Sequence, residues 1–97
     1  MNFEFIRLVR TPSSERYMAQ IFGKDLASFD LHFRTNGLVD GTVVIFEEMQ
    51  FDETLIPLLL KQFDEKVLPD VSLNDKNLAF TVLRGSFIGV FQADKTS

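Results

Sequence analysis

Apolar and polar residues alternate with period two through most of the first half of the chain, the mark of strands that bury one face. Residues 2–10, NFEFIRLVR, read as a first strand, and TPSSE after it is dense in turn formers. RYMAQIF reads two ways. As a helix it would be capped by Ser13 or Ser14, gather Tyr17, Met18, Ile21 and Phe22 on one side, and stop at Gly23. As a strand it would return through a Gly23-Lys24-Asp25 loop, setting Ile21 against Ala27, Ala19 against Phe29 and Tyr17 against Leu31. The matching apolar faces favour the strand. Over 26–34, Ala27, Phe29, Leu31 and Phe33 fall on one face and Ser28, Asp30, His32 and Arg34 on the other.

Two hairpin signals follow, Asn36-Gly37 and Asp40-Gly41, either able to form a tight two-residue turn. Both set odd residues of one strand beside even residues of the next. Phe29, Leu31 and Phe33 are therefore expected beside Val44 and Phe46, and the Asp30, His32, Arg34 stripe beside Val43, Ile45 and Glu47, unless a bulge changes the parity.

The spacing of Ile56, Leu59, Leu60, Phe63 and Val67 then predicts a helix over 55–67, with Lys61, Asp64 and Glu65 away from the stripe. With Thr54 as cap, Pro57 falls in the first turn, where its missing N–H has no intrahelical partner to lose. Pro69 ends the element, and Leu55 and Leu58 remain as surplus apolar surface. Asn74-Asp75-Lys76-Asn77 leads into LAFTVLRGSFIGVF, which reads as a second hairpin closing near Arg84-Gly85, with Leu83 opposite Ser86 and Gly89 opposite Phe80.

The expected fold is α+β: an antiparallel sheet made of a meander, then a helix, then a closing hairpin, with the helix at about 55–67 packed on one face. At 97 residues this is a single domain, 1–97, able to hold a core without staples. The last hairpin is apolar on both sides and no second long helix is read to cover it. Self-association as a homodimer is the simplest cover, with Val43, Ile45, Leu83, Ile88, Val90, Leu55 and Leu58 as candidate interface residues.

Composition narrows the chemistry. Hydrophobic residues make up 45% of the chain, with eleven phenylalanines, so a folded, ring-rich core is expected. No cysteine is present, which excludes disulfides, thiolate metal centres and a cysteine nucleophile. The net charge is −4, and the acidic excess falls wholly in residues 41–97. An acidic chain without a dense basic run argues against nucleic-acid binding, since that affinity rests on Lys and Arg neutralising phosphates. The alternating start is unlike a signal peptide and the apolar runs are too short to span a bilayer, so the expected location is the cytoplasm, with no membrane partner.

The best candidate for chemistry is the Asp30, His32, Arg34 stripe, with Glu47 across the hairpin able to complete an acid–base pair or a weak oxygen–nitrogen ion site. Ser28 lies four residues from His32, roughly 13 Å along a strand, too far for a serine nucleophile to meet its base. The other arginines, Arg7, Arg10 and Arg16, read as surface charges, and Glu47, Glu48, Asp52 and Glu53 as a solvated junction without the spacing of a calcium loop. No catalytic residue, resident metal or cofactor is assigned. The leading expectation is a non-enzymatic protein-interaction module, a homodimer with a protein partner of unknown identity. A small ligand binder or enzyme using Asp30, His32, Arg34 and Glu47 is the alternative, and a nucleic-acid-associated protein the second.

Overall fold

Among the described residues, five strands lie in one sheet in chain order: β1 (Glu4–Arg10), β2 (Ser14–Ile21), β3 (Lys24–Phe33), β4 (Val39–Phe46) and β5 (Leu78–Gly85). β1 to β4 form an antiparallel meander and β5 lies parallel to β4. Between β4 and β5 come two short 3-10 turns, Glu47–Met49 and Glu53–Leu55, and the helix α1 (Ile56–Val67). The structure is a computed structural model describing residues 1–68, 77–86, 88, 89, 91 and 92. The α+β class and the meander are as the alternation implies, and RYMAQI lies in a strand with Phe22 in the turn after it.

The final pairing differs from the expected closing hairpin. β5 runs straight through Arg84 and Gly85, and its neighbour is β4, so Leu83 stands beside Val44 and not Ser86. Apolar alternation cannot distinguish a parallel from an antiparallel neighbour, and the helical segment between β4 and β5 supplies the crossover that a parallel pair requires. Residues 88 and 89 have no regular structure, whereas Phe87 and Val90 lie outside the described residues. An aromatic ring does cover a glycine in the sheet, but the glycine is Gly41, opposite Phe80 on β4.

Turn chemistry sets the registers. β2 and β3 are joined by Phe22 and Gly23, both at positive φ, with Ile21 paired to Lys24. A register shift beyond Ala19 then sets Ala19 against Ala27 and Tyr17 against Phe29, two places from the expected register but with the same parity. Between β3 and β4, Arg34 N–H donates to Leu38 O at 2.8 Å across Thr35-Asn36-Gly37, Gly37 has φ 85°, and Leu38 N–H donates to Asn36 Oδ1. This is a three-residue loop with glycine at the left-handed position. It reverses the parity that a two-residue turn would give: Phe29 pairs with Val43 and Ala27 with Ile45.

At the start of α1 the cap is displaced. Asp52, not Thr54, supplies the side-chain oxygen, accepting from Thr54 N–H at 2.9 Å to start the second 3-10 turn, and Pro57 sits in the first turn of the helix that continues from it. The hydrogen bond from Thr54 favours the charged Asp52 carboxylate and lowers its pKa.

The core lies between α1 and one face of the sheet. Phe63 is fully buried, stacked on Phe29 with ring centroids 4.2 Å apart, and Phe5, Tyr17 and Phe80 meet it edge-on. Leu59 is buried beside it, and Leu55, Ile56, Leu58, Leu60 and Val67 pack partly buried against the same cluster. The apolar surplus expected at Leu55 and Leu58 is thus taken up within the chain. Gln62 holds the first residues to the helix as a strand would, accepting from Phe3 N–H and donating to Met1 O, while Lys66 Nζ donates to Phe3 O and Asn2 Oδ1.

Candidate functional site

With α1 on one face, the other face carries side chains whose order follows from the registers. Ile6, Met18, Ser28, Val44 and Leu83 stand side by side across all five strands. The next row, toward the Arg34–Leu38 loop, is Val9, Arg16, Asp30, Thr42 and Thr81, and beyond it come Ser14, His32, Asp40 and Ala79. In the opposite direction lie Gln20, Phe46 and Gly85. One half of this face is therefore apolar and the other polar.

In the polar half, the charges are largely spent on one another. Arg16 Nε donates to Asp30 Oδ1 at 2.6 Å, and Arg34 Nε reaches Asp40 Oδ2 at 2.5 Å. His32 is exposed between Ser14 and Asp40. Val9, Ser14, Glu15, Arg16, Asp30 and His32 border a shallow open depression of about 380 Å³. The depression is open to solvent, and the Arg16–Asp30 ion pair lies along it.

Asp30 and His32 share this surface as alternation predicts, and Arg34 reaches it from the loop. Glu47 does not join them. It opens the first 3-10 turn, five residues past Thr42 and so about 16 Å along the strand direction from the Asp30 row. There its Oε2 accepts from Ser86 Oγ at 3.3 Å. Among the described residues, no group of three or more His, Asp or Glu side chains is placed to hold a metal ion.

The reversed parity also moves two candidate interface residues. Val43 and Ile45 are buried under α1, and Val44 takes their place on the helix-free face. Leu83 does lie there, 52% exposed, and Ile88 is exposed past the end of β5. Ile6, Met18, Val44 and Phe46 complete the apolar half; the sequence signal for them was the even positions of β2 and β4, legible only with the loop type known. Arg16 and Asp40, the ion partners of the stripe, were likewise fixed by register and not by any motif.

The arginines of β1 meet Glu15, Arg10 Nε at 3.4 Å and Arg7 Nη1 at 3.9 Å. Glu15 Oε2 also accepts from Tyr17 O–H, and burial together with that neighbouring carboxylate raises the Tyr17 pKa. Among the described residues, no helix is long and apolar enough to cross a membrane. No family model, characterised protein or solved structure matches the chain.

Proposed function

We propose that the chain is a non-enzymatic interaction module that acts as a homodimer through the apolar half of its helix-free sheet face. The observation that carries this reading is the row Ile6, Met18, Ser28, Val44 and Leu83, continuous across five strands on the face away from α1, exposed at Ile6 and Leu83 and half-buried at Met18, Ser28 and Val44. Ile6 is 44% exposed and Leu83 52%, and Leu8 and Val9 extend the apolar surface along β1. A contiguous patch of this kind, rimmed by charge, is characteristic of interaction surfaces and unfavourable on a solvated monomer. A sheet face also suits self-association, because a two-fold axis brings the same row against itself.

The polar half adds specificity. Its ion pairs sit beside the apolar row, as the wet rim of an interface does, and charges at a rim steer association more than they hold it.

The test is molecular mass by light scattering across micromolar concentrations, for the natural chain and for Leu83→Asp. The natural chain should give twice the chain mass, from an interface of at least ~1,000 Å² in total. The variant should be a monomer with an unchanged circular-dichroism spectrum, since Leu83 faces away from the core. A natural chain that stays monomeric at high micromolar concentration overturns the reading.

A further inference from the structure

The turn between β2 and β3 is unusual in its side chain. Phe22 has φ 51° and Gly23 φ 74°, so both central residues of a two-residue loop are left-handed. That geometry favours asparagine, aspartate or glycine at both places, and a bulky residue adopts it against its backbone preference. Phe22 gains nothing for it within its own chain, because its side chain is 91% exposed. A large aromatic held out at a hairpin tip, in a disfavoured backbone conformation, is placed for a contact outside the protomer.

At the same end of the sheet the helix-free face has a hollow of about 230 Å³ lined by Met18, Phe46, Asp25 and Glu48. Half-buried Met18 and the edge of Phe46, which is 7% exposed, line its floor; Glu48 and Asp25, whose Oδ1 accepts from Gln20 Nε2 at 2.8 Å, line its rim. Met18 lies four residues before Phe22 on β2, roughly 13 Å along the strand, while Asp25, two residues past Gly23, lines the hollow on the side of the tip. The tip itself carries a cation: Lys24 follows the turn directly and is exposed. Among the described residues neither Lys24 nor Glu48 is in an ion pair. Tip and hollow are thus complementary, an aromatic ring with a cation against an apolar floor with an acidic rim.

The geometry points to a second copy of this chain as the occupant: Phe22 of each protomer enters the Met18–Phe46 hollow of its partner, and Lys24 meets the partner's Glu48. A two-fold axis passing between tip and hollow makes both insertions at once, as an isologous contact requires. This rests on the homodimer reading above and names the contact that closes it. Two buried rings supply about 300–500 Å² of the ~1,000 Å² that a stable interface needs. The surface between tip and hollow on each protomer, around Gln20 and Asp25, adds to this.

The experiment is the dimer dissociation constant, by sedimentation equilibrium, for the natural chain and four variants: Phe22→Asn, Lys24→Glu, Glu48→Lys and the last two combined. Asparagine suits a left-handed turn, so Phe22→Asn should leave the thermal midpoint of the monomer unchanged or raise it. Its dissociation constant should nevertheless rise at least about tenfold, as for loss of a buried aromatic anchor. Each single charge reversal should weaken the dimer, and the combined reversal should restore it. A Phe22→Asn chain that dimerises like the natural one overturns the tip exchange, as does a combined reversal no tighter than the single ones. If the natural chain dimerises, Leu83→Asp breaks the dimer and Phe22→Asn does not, the sheet-face dimer stands and the tip exchange falls. A monomeric natural chain removes both.

Discussion

Replacing Phe63 by alanine tests the centre of the fold. The ring is fully buried, stacked on Phe29 at 4.2 Å and approached edge-on by Phe5 at 5.2 Å, Tyr17 at 5.4 Å and Phe80 at 5.9 Å. Truncating a buried phenylalanine costs about 3–5 kcal/mol in transfer and cavity terms. Four ring partners are lost at once, and each aromatic pair contributes ~0.5–1.5 kcal/mol beyond its buried area, which places this site at the upper end, about 5 kcal/mol. A domain of this size has roughly 5–15 kcal/mol in all. Urea unfolding followed by far-ultraviolet circular dichroism should show a midpoint lower by about 2.5–5 M, given a slope of ~1–2 kcal/mol/M, or no folded baseline at all. The chain has one tyrosine and no tryptophan, and that tyrosine touches Phe63, so its near-ultraviolet signal should collapse in the variant even where the backbone signal survives. Phe63→Leu, which keeps the volume better, should lose about 1–2 kcal/mol. A Phe63→Ala midpoint within 0.5 M or so of the natural chain would refute the packing of α1 on this sheet face.

Gly41→Ala should destabilise the chain by about 1–3 kcal/mol, because the new Cβ would overlap the Phe80 ring and press on Leu31 Cδ2 at 3.3 Å. Adding Phe80→Leu should recover part of the loss, measured by the same urea titration, and no recovery would show that the ring is not the obstacle. Asp64 Oδ1 is shut off from solvent without a hydrogen-bond partner among the described residues, and burial, with Glu65 beside it, raises the Asp64 pKa. The folded chain therefore holds this proton more tightly than the unfolded one, so this group's contribution to stability falls as pH rises from the ordinary carboxylate range through the raised pKa. Asp64→Asn should be more stable than the natural chain at pH 7 and lose that advantage at pH 3, by thermal unfolding; equal midpoints at pH 7 would sink the argument.

What was legible in the sequence is what local periodicity can carry. The strands of the meander and the stripe of α1 follow from spacing, with β2 needing also the match of its apolar face to that of β3, and so does the separation of Phe29 and Leu31 from Asp30 and His32. Register was not, because it depends on how many residues a turn spends. Asn36-Gly37 announces a left-handed glycine but not whether two or three residues bridge the strands, and the one extra residue sends Val43 and Ile45 into the core and Val44 out. The partner of β5 was not legible either, since LAFTVL alternates equally well beside a strand of either direction. Of the candidate site, Asp30, His32 and Arg34 are gathered on one surface, while Glu47 was lost with the parity on which its placement rested.

The single parallel pair has a consequence for the order in which the chain folds. Each turn of the meander closes over a few residues, so β1 to β4 pair with their chain neighbours at small entropic cost and on a fast timescale. β5 meets β4 only after the whole of residues 47–77 has been looped back. Until that loop closes, β1 to β4 can pair with the outer edge of β4 unpaired and Val39, Val43 and Ile45 beside it. A chain paused there offers a bare strand edge to any other, which makes the interval before β5 docks the period of greatest hazard for mispairing.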